Sequence, residues 1–140
     1  MNKIFIILFF LTSTSLFAED TLVGKKFICS KLFWGFDFFS SNKVNVISTN
    51  INNITSVKEY YYEIDLDLKF INLYLIESNK KEFIFSIDQN SLRVDIWTMT
   101  SGGNTVREMI PEGFCSLVFA NNLLTFIEDL KNNKNIKIDI

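Results

Sequence analysis

Through the middle of the chain the side chains change sides residue by residue. In segment 58–64, Tyr60, Tyr62 and Ile64 fall on one side while Glu59, Tyr61 and Glu63 fall on the other. In segment 82–88, Phe83, Phe85 and Ile87 alternate with Glu82, Ile84 and Ser86; in segment 91–97, Leu92, Val94 and Ile96 alternate with Ser91, Arg93 and Asp95. A period of two predicts half-buried β-strands, because successive residues of a strand point to opposite faces. Less regular apolar segments at 25–31, 33–39, 43–49, 66–76 and 114–119 read as further strands, about eight in all. In 66–76 the apolar face switches between Phe70 and Ile71, which one extra residue in a β-bulge would produce. Turn signals separate the runs: Glu77-Ser78-Asn79-Lys80, Asp88-Gln89-Asn90, Ser101-Gly102-Gly103-Asn104 and Pro111-Glu112-Gly113. Segment 50–54 reads as a longer loop.

Near the end the period changes. Leu123, Leu124, Ile127 and Leu130 recur at helical spacing, with Glu128, Asp129 and Lys131 opposite. Asn121 or Asn122 offers a capping oxygen and Asn132-Asn133 a stop, so one amphipathic helix of about three turns is predicted over 121–133. Its apolar stripe is expected to pack on the outside of the sheet or to plug one end of a barrel. The tail Ile136-Lys137-Ile138-Asp139-Ile140 alternates again and is expected at a sheet edge.

The start of the chain differs in kind. Met1-Asn2-Lys3 leads into an apolar run over 4–11, followed by Thr12-Ser13-Thr14-Ser15-Leu16-Phe17-Ala18-Glu19-Asp20. One positive charge, a short apolar stretch and a small residue ahead of an acidic pair are the parts of a secretory signal, with cleavage expected after Ala18. The apolar run is shorter than the roughly 20 residues that cross a bilayer as a helix. No second such run follows, so no membrane span is expected in the mature chain. No Cys stands at the cleavage point, which argues against a lipoprotein. The signal peptide is thus 1–18 and a single mostly-β domain 19–140, exported to the periplasm or secreted.

Composition narrows the chemistry. Once Lys3 leaves with the signal, 13 basic residues face 16 acidic ones, scattered rather than striped, which argues against nucleic acid or an anionic membrane as partner. Phe, Ile, Asn and Lys share A/T-rich codons, so their abundance is not read as functional. The chain has no His, hence no imidazole base, no Ser–His or Cys–His pair and no ordinary zinc site. Carboxylate chemistry, lysine chemistry and binding remain, and a binding protein without cofactor or metal is expected rather than an enzyme. Cys29 and Cys115 are the only cysteines, and in an oxidising compartment an even pair reads as a disulfide. Such a bridge closes nearly the whole domain, worth about 4–5 kcal/mol in the chain-entropy model. It also requires the first and last strands of the mature domain to meet, as they do in a barrel or sandwich.

Candidate sites are few. Phe33-Trp34-Gly35-Phe36-Asp37-Phe38-Phe39 is the densest aromatic stretch, and Tyr60-Tyr61-Tyr62 the next. Trp34, Phe36, Phe38, Tyr60 and Tyr62 are the candidates to line an apolar pocket, with phenols able to orient a ligand; ordinary core packing competes with that reading and is favoured. Gly35 would let a backbone or ligand approach closely, or mark a bulge. Glu63, Asp65 and Asp67 share a parity, and a solvated strand face explains them better than a glycosidase pair or a calcium loop. Arg93 and Asp95 are expected to pair with charges on a neighbouring strand.

The fold class is therefore mostly β: an antiparallel meander forming a small barrel or tight sandwich with one C-terminal helix. In outline it resembles the calycin (lipocalin-like) plan, although Gly24 is followed by Lys25-Lys26-Phe27 where lipocalins carry Gly-x-Trp. The expected role is a monomeric, non-catalytic carrier of a small apolar or amphipathic ligand. The alternative is an envelope protein-interaction module that docks through a sheet edge or the C-terminal helix.

Overall fold

The computed structural model describes residues 21–133; segment 1–18, read above as a signal, and the alternating tail 136–140 lie outside the described residues. The described chain forms β1 (Lys26–Cys29), β2 (Trp34–Asp37), β3 (Lys43–Thr49), β4 (Thr55–Asp65), β5 (Phe70–Glu77), β6 (Lys80–Asp88), β7 (Arg93–Met99), β8 (Thr105–Phe114), β9 (Ser116–Val118) and helix α1 (Leu123–Asn132). All pairings are antiparallel. The sheet order is β8-β7-β6-β5-β4-β3-β2-β1-β9. Its two outermost members are consecutive in sequence, separated only by Cys115. One bent strand therefore pairs with β7 by its first part and with β1 by its last, and the sheet wraps into a nearly closed barrel. This is the expected mostly-β plan, with the last strand lying beside the first.

The Cys29–Cys115 disulfide ties that seam across 86 positions of sequence, with the two Cα atoms 4.0 Å apart. Just before it, Arg93 pairs with Phe114 and Asp95 with Met109, so residues 110–113 bulge opposite Val94 alone. Pro111 sits in this bulge, where its missing N–H breaks no ladder bond. Segment 105–109 pairs with β7 on one side and has no strand partner on the other among the described residues.

The interior is dominated by aromatic rings. Phe36 and Phe38 are fully buried, with Phe27, Tyr60, Tyr62 and Phe85 nearly so. Phe85 receives Trp34, Phe36 and Tyr60 edge-on at centroid distances of 5.7, 6.4 and 5.7 Å. Phe38 lies edge-on to Tyr62 at 4.9 Å and to Phe27 at 5.6 Å. Such T-shaped contacts place positive ring edges on negative faces, adding about 0.5–1.5 kcal/mol each to the area buried.

The helix lies outside. Asn122 caps it by accepting a hydrogen bond from the Thr125 N–H at 3.0 Å, and Asn133 ends it. Leu123, Ile127 and Leu130 pack with Ile28 and Ile47 on the outer wall. Gly35 pairs with both of those wall residues, and a Cβ there would stand 2.7 Å from Ile127 Cδ1 and 2.8 Å from Leu123 Cδ2. The glycine thus serves a close helix approach. The rest of the outer wall carries a row of Tyr61, Tyr74, Phe83 and Trp97 with successive centroids 5.8 Å apart. Lys43 and Lys81 cover Tyr61 and Tyr74 at 5.4 and 4.6 Å.

Three expectations need correction. Residues 66–69 form a turn rather than the start of a strand, so no bulge separates Phe70 from Ile71. The register shift lies one strand later: Leu73 pairs with Phe85 and Tyr74 with Phe83, leaving Ile84 as the extra residue on β6. Phe83 consequently joins the outer aromatic row while Phe85 and Ile87 stay inside. Finally, β4 ends at Asp65, so Glu63, Asp65 and Asp67 do not form a continuous acidic row.

Candidate functional site

Antiparallel winding sends alternate connections to opposite ends of the barrel. One end, the mouth, gathers segments 21–25, 38–42, 66–69, 89–92 and 119–122; the far end gathers 30–33, 50–54, 78–79 and 100–104. At the mouth lies a recess of about 610 Å³ bounded by Leu22, Val23, Tyr62, Ile64 and Leu66, with Thr21, Ser41, Glu63 and Gln89 as its polar lining. That size lies within the roughly 300–1,000 Å³ of small-molecule pockets.

Each wall has a local cause. The strap 21–23 is pinned because Gly24 donates its N–H to Phe38 O at 2.6 Å and Lys25 donates to Leu22 O at 2.9 Å, with Leu22 buried as the anchor. Gly24 reaches this geometry at φ +84°, which disfavours any side chain. Tyr62 and Ile64 continue the inward parity of β4 up to the rim. Tyr62 donates its hydroxyl to Ser40 O at 2.9 Å, and burial pushes its pKa above the ordinary tyrosine value, as it does for Tyr60 deeper in the core.

Two aspartates hold the mouth turns. Asp65 Oδ1 accepts the N–H groups of Asp67 (3.1 Å) and Leu68 (2.9 Å). Asp88 Oδ1 accepts those of Asn90 (2.8 Å) and Ser91 (3.0 Å). The Ser91 N–H, helped by that of Asn90, holds the Asp88 carboxyl below its ordinary pKa against a smaller opposing effect of burial. Glu63 is neutralised by Lys81, so the recess presents no free lysine or arginine and one paired carboxylate.

Of the five candidate lining residues, only Tyr62 borders the recess. Phe36, Phe38 and Tyr60 pack against other rings in the barrel, and Trp34 closes the far end against Phe85. Leu22, Val23, Ser41, Ile64, Leu66 and Gln89 complete the mouth, and none of them stood out in the sequence. The alternation Asp65-Leu66-Asp67-Leu68 was the available signal: leucines between carboxylates that cap a turn are displayed, not buried. Asp95 pairs with Arg107 of the neighbouring strand β8 at 3.4 Å, as expected, but it is only 2% exposed and pairs also with Arg93 of its own strand at 2.9 Å. Among the described residues no group of three or more carboxylates and thiols converges where it could hold a metal ion.

Compared with protein-family models, characterised proteins and solved structures, the chain has no match.

Proposed function

We propose that this chain is an exported carrier of a small amphipathic molecule, held with its apolar part in the mouth recess. The observation that carries this reading is the recess itself, about 610 Å³, walled by Leu22, Val23, Tyr62, Ile64 and Leu66 at the mouth end of the barrel. Its polar lining favours a neutral head group. Ser41, Thr21 and Gln89 offer hydrogen bonds, while the one lining carboxylate, Glu63, is already paired with Lys81 and no lysine or arginine of the lining could pair with an anionic head group. A monoacylglycerol fits that chemistry better than a fatty acid of equal chain length. The signal-like segment 1–18 and the single Cys29–Cys115 bridge both suit an oxidising destination such as the periplasm.

The test is native mass spectrometry of the chain exported on its own signal, followed by titration with monoacylglycerol and fatty acid. Carriage predicts a one-to-one adduct with the neutral lipid that Ile64→Asp weakens. A ligand-free protein that takes up neither lipid would dismiss it.

A second reading has support in β8. Segment 105–109 leaves one row of backbone N–H and C=O groups without a strand partner among the described residues, which is a template for an added strand from another protein. The helix offers less, because Leu123, Ile127 and Leu130 are buried against the barrel.

A further inference from the structure

We infer that Leu22 is a displaceable plug, and that the apolar chain of the ligand enters the barrel by taking its place. The inference deepens the carrier reading and rests on it. Leu22 borders the recess and also belongs to the buried cluster that holds Phe27, Phe38 and Tyr62, so its side chain is a partition between the two. Paired strands deliver most of that cluster, whereas Leu22 is delivered by a turn.

The turn is built to give way. Lys25 donates its N–H to Leu22 O at 2.9 Å, which closes the four residues Leu22-Val23-Gly24-Lys25. Gly24, at φ +84°, stands in the third position, where a type II turn demands a positive φ. A Cβ at Gly24 would meet nothing within 4 Å, so glycine serves backbone conformation there and not close packing. The turn is tied to the barrel at its base, where Gly24 donates to Phe38 O and Phe38 donates to Lys25 O. Upstream of that tie, residues 21–23 have no strand partner and no side-chain hydrogen bond among the described residues.

The other walls are fixed. Tyr62 and Ile64 pair with Leu73 and Ile71 in the sheet. Leu66 lies in the turn capped by Asp65, and Gln89 in the turn capped by Asp88. The wall that can move is therefore the one that carries Leu22. A seated Leu22 fills apolar space that methylenes of a ligand would otherwise occupy, and the apparent affinity is reduced by the fraction of molecules in which it is seated. An acyl chain displaces it because the chain has more methylenes to bury than one leucine does.

A plug and a wall respond to truncation with opposite signs. Leu22→Ala removes a plug and tightens binding, whereas the same change in a wall removes contact area and weakens it. The experiment is calorimetric titration of the exported chain with monooctanoylglycerol below its micellar concentration, joined to amide exchange. Leu22→Ala should bind about tenfold or more tighter than the wild type. Gly24→Ala strains the closed turn but leaves every side chain of the cluster, and should tighten binding about fivefold. Gly24→Asn, which tolerates a positive φ, should fall back toward the wild type. In the wild type, saturating monooctanoylglycerol should lower the protection of the Lys25 amide, whose bond to Leu22 O breaks as the turn swings out, while the Ile28 amide keeps its own. Should Leu22→Ala prove too unstable to purify, the two Gly24 variants and the wild-type exchange decide the matter. Weaker binding by Leu22→Ala or Gly24→Ala, or a Lys25 amide that the ligand protects further, would overturn the plug and leave the carrier reading standing. Variants that bind where the wild type does not would support the plug. If neither the wild type nor any variant takes up monooctanoylglycerol, plug and carrier fall together.

Discussion

At the far end of the barrel, Leu32, Trp34, Leu75 and Ile84 fill the space between the strand ends, and Lys58 lies over the Tyr60 ring at 5.3 Å. At the mouth the corresponding space remains a recess, bounded by Leu22, Tyr62 and Ile64. The loops differ as well. The far-end loop 50–54 is held by an amide: Asn50 Oδ1 accepts the N–H groups of Asn52 and Ile54, and Lys131 of the helix donates to Asn53 O at 2.7 Å. The mouth turns are held by the carboxylates of Asp65 and Asp88. An aromatic plug of Phe36, Phe38 and Phe85 lies between the ends. The difference teaches that a barrel filled by aromatic rings along its axis can still leave a recess at one end, where a strap and turns rather than core side chains form the walls.

The strongest way to break the contrast is to unfasten the seam. Replacing both cysteines, as in Cys29→Ala with Cys115→Ala, removes a link across 86 positions and should cost about 4–5 kcal/mol of stability. Urea unfolding would read the loss, and amide exchange should rise first in β1 and β9, which the bridge holds together, rather than in the mouth turns. Uniform acceleration would mean that the seam and the mouth are not separable. Next in size, Phe85→Ala removes the ring on which Trp34, Phe36 and Tyr60 converge and should cost about 3–4 kcal/mol. It should also open a cavity inside the barrel. On the carrier reading, a cavity that joins the recess lets the variant accept a longer acyl chain than the wild type, a gain visible as an adduct in native mass spectra.

Much of this architecture was legible because strand alternation and helix period report burial directly. The parity of Tyr60, Tyr62, Phe85, Ile87 and Val94 follows from period two, the helix from its Leu–Ile stripe, and the bridge from an even cysteine pair. The first half of β8 was not legible. Val106, Glu108 and Met109 are exposed on a strand that pairs on one side only, so burial imposes no apolar rhythm on it. The bulge at Ile84 was hidden for a related reason. Phe83 is as apolar as Phe85, and a row of outward aromatics masks the change of face. The mouth escaped because a recess is made by residues from four separate segments meeting in space. Leu66 and Leu68 look like core residues until the turn that displays them is known.

A milder change sharpens the mouth alone. Tyr62→Phe removes the hydrogen bond to Ser40 O and should cost about 1 kcal/mol. It should also weaken ligand binding if the phenol helps to shape the wall. Burial raises the Tyr60 and Tyr62 pKa values above the ordinary 10.0, so the folded chain holds the phenolic protons more tightly than the unfolded chain does. Stability from this source is complete below about pH 10 and is lost as pH rises through the folded values. Tyr62→Phe should make that alkaline loss smaller without abolishing it, because Tyr60 still titrates; thermal melts above neutral pH would show this.

The smallest effect separates the ends by acid. Asp88 has its folded pKa lowered from the ordinary 3.8, chiefly by the Ser91 N–H, so its contribution is complete above that value and is lost as pH falls through the lower folded one. Protonation weakens the oxygen that holds the N–H groups of Asn90 and Ser91, and Gln89, a lining residue of the recess, sits in the same turn. The far-end loop has no such dependence, since the Asn50 amide does not titrate. Lowering the pH from about 5 to about 3 should therefore reduce the protection of the Asn90 and Ser91 amides, measured against the intrinsic exchange rate at each pH, while Asn52 and Ile54 keep theirs. In Asp88→Asn, whose amide oxygen can accept the same two bonds, the exchange at Asn90 and Ser91 should become as indifferent to acid as that of the far-end loop. Equal loosening of both loops in the wild type would show that acid acts on the barrel as a whole, and the contrast between its ends would not extend to their turns.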